Sequence, residues 1–264
     1  MEILGYFAAA FIGISLGLIG GGGSILTVPV LVYIFHLQPK LATSYSLFIV
    51  GSTSLVGALK NYSNGLVDLK TALLFGSSSI SMVFITRRFL VPSIPEKIIR
   101  IGNFTVTASL LIMVLFALLM LMASYSMIRS RNEIFVKKDQ SFKSIPQLMG
   151  FGIMIGLITG LLGAGGGFLL IPTLVLLIGL PMKKAIGTSL MIIAMNSLLG
   201  FTGDIGQVEM DWKLLLRLTL IAIAGLFIGN ILGKNISGKK LKKGFGWFVL
   251  AMGVYILVKE LWLK

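Results

Sequence analysis

The chain runs in long apolar blocks separated by short polar ones. A helix needs about 20 apolar residues to cross a bilayer, and a run of roughly 10 to 14 covers only part of it. On that ruler ten apolar segments emerge. The first five are Ile3 to Ile19, Ile25 to His36, Leu41 to Leu59, Thr71 to Thr86 and Ile98 to Ala123. The second five are Leu148 to Leu162, Phe168 to Leu180, Ala185 to Thr202, Leu214 to Leu232 and Phe245 to Val258. The pattern predicts an all-α polytopic membrane protein. Glu2 is the only charge ahead of the first segment, so no removable signal peptide is expected. The one long polar connection is the basic stretch from Arg129 to Lys143. It divides the chain into a first transmembrane repeat over 1–126, a linker over 127–146 and a second repeat over 147–264.

The division marks an internal duplication. A shift of 143 positions lays Gly13, Gly17, Gly20, Gly22, Gly23 and Pro29 on Gly156, Gly160, Gly163, Gly165, Gly166 and Pro172. The same shift lays Ser46, Ser54, Gly57 and Asp68 on Ser189, Ser197, Gly200 and Asp211. Leucine coincidences mean little in an apolar chain, whereas matched glycines, prolines and aspartates do not arise from hydrophobicity alone.

Composition narrows the class. The 264 residues are 56% hydrophobic and 12% charged, against about 25% charged in soluble domains, and the mean hydropathy is +0.98. With no cysteine, disulfides, iron–sulfur clusters and thiol nucleophiles are excluded. His36 is the single histidine, which removes zinc and leaves that residue a structural role. No cofactor is expected. The net charge of +14 raises a nucleic-acid partner, but the bases cluster between apolar blocks, as in the loops of a membrane protein. Lipid is therefore the expected surroundings, with no nucleic acid.

Those bases also orient the chain. If the first two segments of each half form a hairpin, each half makes an odd number of crossings and the repeats are inverted; a single broken span would make them parallel. The hairpin arrangement puts 14 of the 23 bases on the face of the central linker and 9 on the other, whereas the parallel one divides them almost evenly. The positive-inside rule then gives inverted repeats, a cytoplasmic linker and both termini outside.

The candidate chemistry centres on two glycine runs, Gly20 to Gly23 with Ser24, and Gly163 to Gly167 with Ala164 in place of one glycine. Each lies six residues before a proline, Pro29 or Pro172. Consecutive glycines disfavour helix by about 1 kcal/mol each, so a glycine-broken helix opens each repeat. Broken helices survive at membrane depth where the freed backbone faces protein or a wet cavity. A half-helix starting at Ser24 or Gly167 would aim its amide groups at an anion. Close helix packing is the alternative use of the same glycines. Nucleotide binding is not: neither run carries the lysine of a phosphate loop, and at Gly233 to Lys239, where the spacing fits, Lys240 replaces the needed hydroxyl.

The third segment of each half adds neutral donors. They are Ser44, Tyr45 and Ser46 in one, and Thr188, Ser189 and Asn196 in the other. With Gly22, Gly23, Ser24, Gly165, Gly166 and Gly167 they form the candidate site for a small anionic substrate. Hydroxyls and amides can hold an oxyanion without bringing charge into the bilayer, although they also bond helices together. Asp68, Glu96, Asp204, Glu209 and Asp211 fall at segment ends or in loops, so no acid at midspan is expected to relay protons. Gly225, Gly229 and Gly233 read as a packing face.

At these residues the sequence resembles the sulfite exporter TauE/SafE family of membrane permeases. The motifs are GLIGGGGSILTVP from Gly17, GLLGAGGGFLLIP from Gly160, KKAIGTSL from Lys183, and a glycine followed by Asp211 and Trp212. The first half departs from the pattern, with Tyr45 where the second has Thr188. The resemblance implies roughly eight transmembrane helices in the bacterial plasma membrane, and export of sulfite, sulfoacetate or related anions by alternating access. An anion channel lined by the same residues is the alternative. An enzyme is not expected, for want of catalytic groups at midspan. The sequence is also compatible with a homodimer.

Overall fold

A computed structural model describes residues 2–101, 104–129, 145–233 and 238–262. All ten apolar segments contain helix. In the first half these are α1 (Glu2–Ile19), α2 (Thr27–Tyr33), entered through a 3-10 turn (Gly21–Leu26), α3 (Pro39–Ser63), α4 (Leu69–Ile85) and α5 (Ala108–Ile128). In the second half they are α6 (Ile145–Leu162), α7 (Gly167–Pro172) with a π-helical turn (Thr173–Leu177), α8 (Met182–Asp204), α9 (Trp212–Gly233) and α10 (Gly238–Trp262). Five helical runs among the described residues are long and apolar enough to cross a membrane: Pro39–Ser63, Leu69–Ser93, Ala108–Tyr125, Met182–Asp204 and Trp212–Leu232. Shorter apolar helices run over Gly5–Ile19, Gly23–Tyr33 and Pro146–Leu162.

Two segments differ from expectation. The fourth does not stop at Thr86: a π-helical turn (Thr86–Leu90) carries the helix on to Ser93. The fifth opens as an antiparallel hairpin, β1 (Lys97–Ile101) with β2 (Phe104–Thr107), and becomes helical only at Ala108. The cause is local, since Ile98, Ile99, Ile101, Thr105, Val106 and Thr107 are all β-branched and suit strand better than helix. Thr107 then caps α5, its hydroxyl accepting from the Leu110 amide at 3.2 Å.

Helix packing crosses between the halves. α1 packs on α9 and α4 on α6, α3 meets both α8 and α9, α4 meets α8, and α5 meets α10. Exchanging each helix for its counterpart 143 residues away leaves this set of contacts unchanged. Local hydrogen bonds recur at the same shift: Leu37 N–H to Leu31 O and Leu180 N–H to Leu174 O, or Ala42 N–H to Gln38 O and Ala185 N–H to Pro181 O. Where Gly179 has φ 78, His36 has φ 54, the one non-glycine residue in the left-handed region among those described.

Helix directions follow from the close approaches. Along α3 and α8, Ser44 meets Asp204, Gly51 meets Leu198, Gly57 meets Leu190 and Gly187 meets Asn61. Numbers rise on one helix as they fall on the other, so these two counterparts run antiparallel. α1 and α9 run parallel: Gly13 lies on Ala222 and Gly17 on Leu226, and likewise Gly225 lies on Ala10 and Gly229 on Ile14. α6 and α4 do likewise through Gly152 on Phe75 and Gly156 on Ser79. Gly225 and Gly229 are therefore packing glycines against α1. Phe7, Met122, Leu220 and Ile231 stand exposed on the outside, the apolar surface that a lipid-facing helix requires.

Candidate functional site

Both glycine runs break the chain as their composition requires. Gly20 (φ 74) and Gly163 (φ 65) turn it out of α1 and α6, while their amides still close those helices onto Leu16 O at 2.8 Å and Thr159 O at 2.9 Å. Only glycine adopts such angles freely. The halves then diverge. In the first, Gly21 to Leu26, including Gly22, forms the 3-10 turn and regular helix begins at Thr27 rather than Ser24. In the second, Gly165 (φ 66) and Gly166 (φ 71) stay left-handed and α7 begins at Gly167.

The two turns meet. A Cβ placed on Gly21 would strike the Gly167 backbone, and one on Gly167 would strike Gly21. Gly23 presses on Ser15 and Leu16, and Gly166 on the Thr159 side chain. Gly165 is closed in by Val50, Ile193 and the Ser197 hydroxyl. Ser24 is buried, and its Oγ donates to Gly21 O at 2.8 Å, inside its own turn.

The polar residues of α3 and α8 line the seam between the halves and divide by what their side chains touch. The Tyr45 hydroxyl accepts from the Asp211 amide at 2.6 Å, and the Thr188 hydroxyl accepts from the Asp68 amide at 2.9 Å. Tyr45 and Thr188 are repeat counterparts, and so are Asp68 and Asp211. The same clamp is thus made once at each end of the α3/α8 pair, each time between halves. Both aspartates also cap helices, Asp68 accepting from Thr71 N–H at 3.1 Å and Asp211 from Leu214 N–H at 3.1 Å. Tyr45→Phe and Thr188→Val are each expected to lower stability by about 1 kcal/mol, additively because the clamps are far apart. Thermal unfolding in detergent measures this.

A second set lies deeper. Asn196 donates through Nδ2 to Ser79 Oγ at 2.6 Å, and Ser189 Oγ donates to Ile186 O at 2.9 Å. Asn196 Oδ1 and the hydroxyls of Ser46, Thr53, Ser54 and Ser197 are buried with no hydrogen-bond partner among the described residues. Thr53 and Ser54 are the repeat counterparts of Asn196 and Ser197. An unsatisfied buried polar group costs about 1–3 kcal/mol, and of these the Ser197 hydroxyl lies against Gly165.

At one end of the seam a charged pair joins the neutral side chains. Arg87, one residue beyond the expected end of the fourth segment at Thr86, lies in the π-helical turn with 1% exposure. Its Nη2 sits 2.6 Å from Asp204 Oδ2. Nη1 donates to Thr43 Oγ1 at 3.1 Å and Nη2 to Ser44 Oγ at 3.2 Å, while Ser44 Oγ donates to Asp204 Oδ2 at 2.6 Å. Ser44, a sequence candidate for anion binding, thus belongs to a charged cluster. Asp204 does end its helix, as the sequence places it, but it is 5% exposed. The missed signal was the apolar Phe89, Leu90 and Val91 after the two arginines, which prolong the helix beyond Thr86.

Comparison with known proteins follows the same lines. The family model for sulfite exporter TauE/SafE matches residues 6–256. The chain is 28% identical over 264 residues to a probable membrane transporter protein of Xylella fastidiosa (strain 9a5c), covering 95% of this chain and 92% of that protein. It is 27% identical over 243 residues to the probable membrane transporter protein YunE of Bacillus subtilis (strain 168), covering 86% and 85%. It is 31% identical over 118 residues to the probable membrane transporter protein MJ0441 of Methanocaldococcus jannaschii, covering 42% of this chain and 44% of that protein. No solved structure matches the chain.

Proposed function

The chain belongs to the sulfite exporter TauE/SafE family of membrane transporters, and from that premise we propose that it exports small sulfur-containing anions such as sulfite or sulfoacetate by alternating access. The observations that carry the proposal are the meeting of Gly21 and Gly167 and the buried polar atoms of α3 and α8 that have no hydrogen-bond partner among the described residues, of which the Ser197 hydroxyl lies against Gly165. An oxyanion has several acceptor oxygens and would take hydrogen bonds from the hydroxyls of Ser46, Thr53, Ser54 and Ser197, with the amides of the Gly22–Ser24 and Gly165–Gly167 turns completing its shell. Tyr45 and Thr188 would serve that site by holding its walls together.

Alternating access requires two halves that exchange roles across the membrane. Inverted repeats, 1–126 and 147–264 joined by a cytoplasmic linker over 127–146, meet that need. The reading is supported by the antiparallel course of the counterparts α3 and α8, and by the 14 bases on the linker's face. Both termini then lie outside the bacterial plasma membrane. A reporter active only in the cytoplasm is expected to be silent at the C-terminus and bright in the linker; a bright C-terminal fusion contradicts the orientation. For the substrate, proteoliposomes are screened with sulfite, sulfate, thiosulfate and sulfoacetate. Saturable uptake of a sulfur oxyanion is expected, whereas unitary currents in a planar bilayer would favour the channel.

A further inference from the structure

Arg87 and Asp204 break the symmetry of the molecule. The repeat places Asn230 opposite Arg87 and Asn61 opposite Asp204, so the corresponding positions in the other half are filled by neutral amides. Asn61 Nδ2 donates to Gly57 O at 2.8 Å, and Asn230 Nδ2 has no hydrogen-bond partner among the described residues. The fold is therefore built at one end without a charge at either position. A buried ion pair is a poor device for stability, because the desolvation of both ions offsets their attraction.

The guanidinium is also only partly used. Asp204 approaches it with Oδ2 on Nη2, and a carboxylate or other oxyanion can engage an arginine fork through two parallel bonds. Nε is buried with no hydrogen-bond partner among the described residues. Nη1 rests on the Thr43 hydroxyl, and Thr43 lies directly against Gly163, where the second glycine turn begins. The cation stands one side chain from the proposed anion route, on a π-helical turn, a feature common at functional sites.

We propose that Arg87 binds the transported anion and that Asp204 is its internal placeholder. A small oxyanion of the sulfite or sulfonate class takes the Nη2 and Nε edge of Arg87 while Asp204 withdraws with the end of α8. When the carboxylate returns, it displaces the anion. Ser44 bonds to both partners and guides the exchange. Because the other end of the seam has asparagines, this step occurs on one face only, the outer face in the orientation proposed above, where displacement corresponds to release. The inference rests on the oxyanion-transport reading and adds its one charged contact.

The test uses the full chain in proteoliposomes with sulfite, sulfate, thiosulfate and sulfoacetate, and compares R87Q/D204N with R87K. The double variant removes both charges and leaves no unpaired buried ion, so it folds with a wild-type elution profile and unfolds above either single variant. Its oxyanion uptake is expected to fall by roughly 10- to 100-fold. R87K keeps the charge but loses the fork, and its KM rises by about tenfold with kcat little changed. Wild-type KM and kcat in R87Q/D204N would make the pair structural and overturn the inference while leaving the transport reading intact. Should the double variant fail to fold, an unchanged KM in R87K overturns it equally. A wild-type protein that moves none of the four anions overturns the transport reading, and this inference with it.

Discussion

Gly167→Val is expected to abolish transport, and Gly21→Val to do the same. Each glycine is where the other's backbone lies, so a side chain on either forces apart the two turns that join the halves. Inserting bulk into a packed contact costs about 1–3 kcal/mol where side chains can yield, and here the obstacle is backbone on both sides. Gly166→Val adds a second penalty, because φ 71 is a left-handed angle that a β-branched residue resists by about 1–2 kcal/mol. The control is Gly150→Ala in α6, where a Cβ meets open space; helix propensity alone makes that variant neutral or more stable by up to about 1 kcal/mol. Uptake in proteoliposomes, with gel filtration to follow folding, separates the outcomes. Full sulfite flux in Gly21→Val and Gly167→Val would show that the turns only separate helices.

The second large effect is expected from removing one member of the buried ion pair. Asp204→Ala leaves a guanidinium with 1% exposure and no carboxylate in contact among the described residues, and Arg87→Ala strands the carboxylate. Breaking a buried pair from one side costs about 3–5 kcal/mol, because an uncompensated charge stays in a low-dielectric site. Both single variants are therefore expected to unfold well below the wild type in detergent, and R87Q/D204N to recover most of that loss. If Asp204→Ala melts with the wild type, water or lipid headgroups reach Arg87 and the cluster is not sealed. The predicted order of stability, with the double variant above either single one, is the signature of direct coupling.

How far the sequence leads depends on the kind of signal. The duplication was legible because glycines, prolines and aspartates recur at one spacing, and the structure places the starts of α1, α3 and α4, the turns at Gly20 and Gly163, and the capping aspartates at that spacing. The glycine breaks were legible for the same reason, since Gly20 and Gly163 need angles that other residues avoid. The hairpin before α5 was not, because Ile98 to Ala123 satisfies a hydropathy window whether its β-branched beginning is strand or helix. Arg87 was lost to the same window: two adjacent arginines end an apolar run on paper, yet one of them is carried inside by a helix that continues. The division of the hydroxyls into clamps and unpartnered groups was beyond any pattern in one half alone. Tyr45 looks like a departure from Thr188 until both oxygens are seen to accept from equivalent aspartate amides across the seam.

The central claim is that this transporter moves a sulfur oxyanion by alternately opening two halves around one site. Counterflow tests it most directly: proteoliposomes loaded with unlabelled sulfite are diluted into a trace of labelled sulfite. A carrier is expected to draw label inward against the gradient, with a transient overshoot that saturates with concentration and disappears in Gly167→Val. Label that merely equilibrates without overshoot, or passes as a current that does not saturate, contradicts the account.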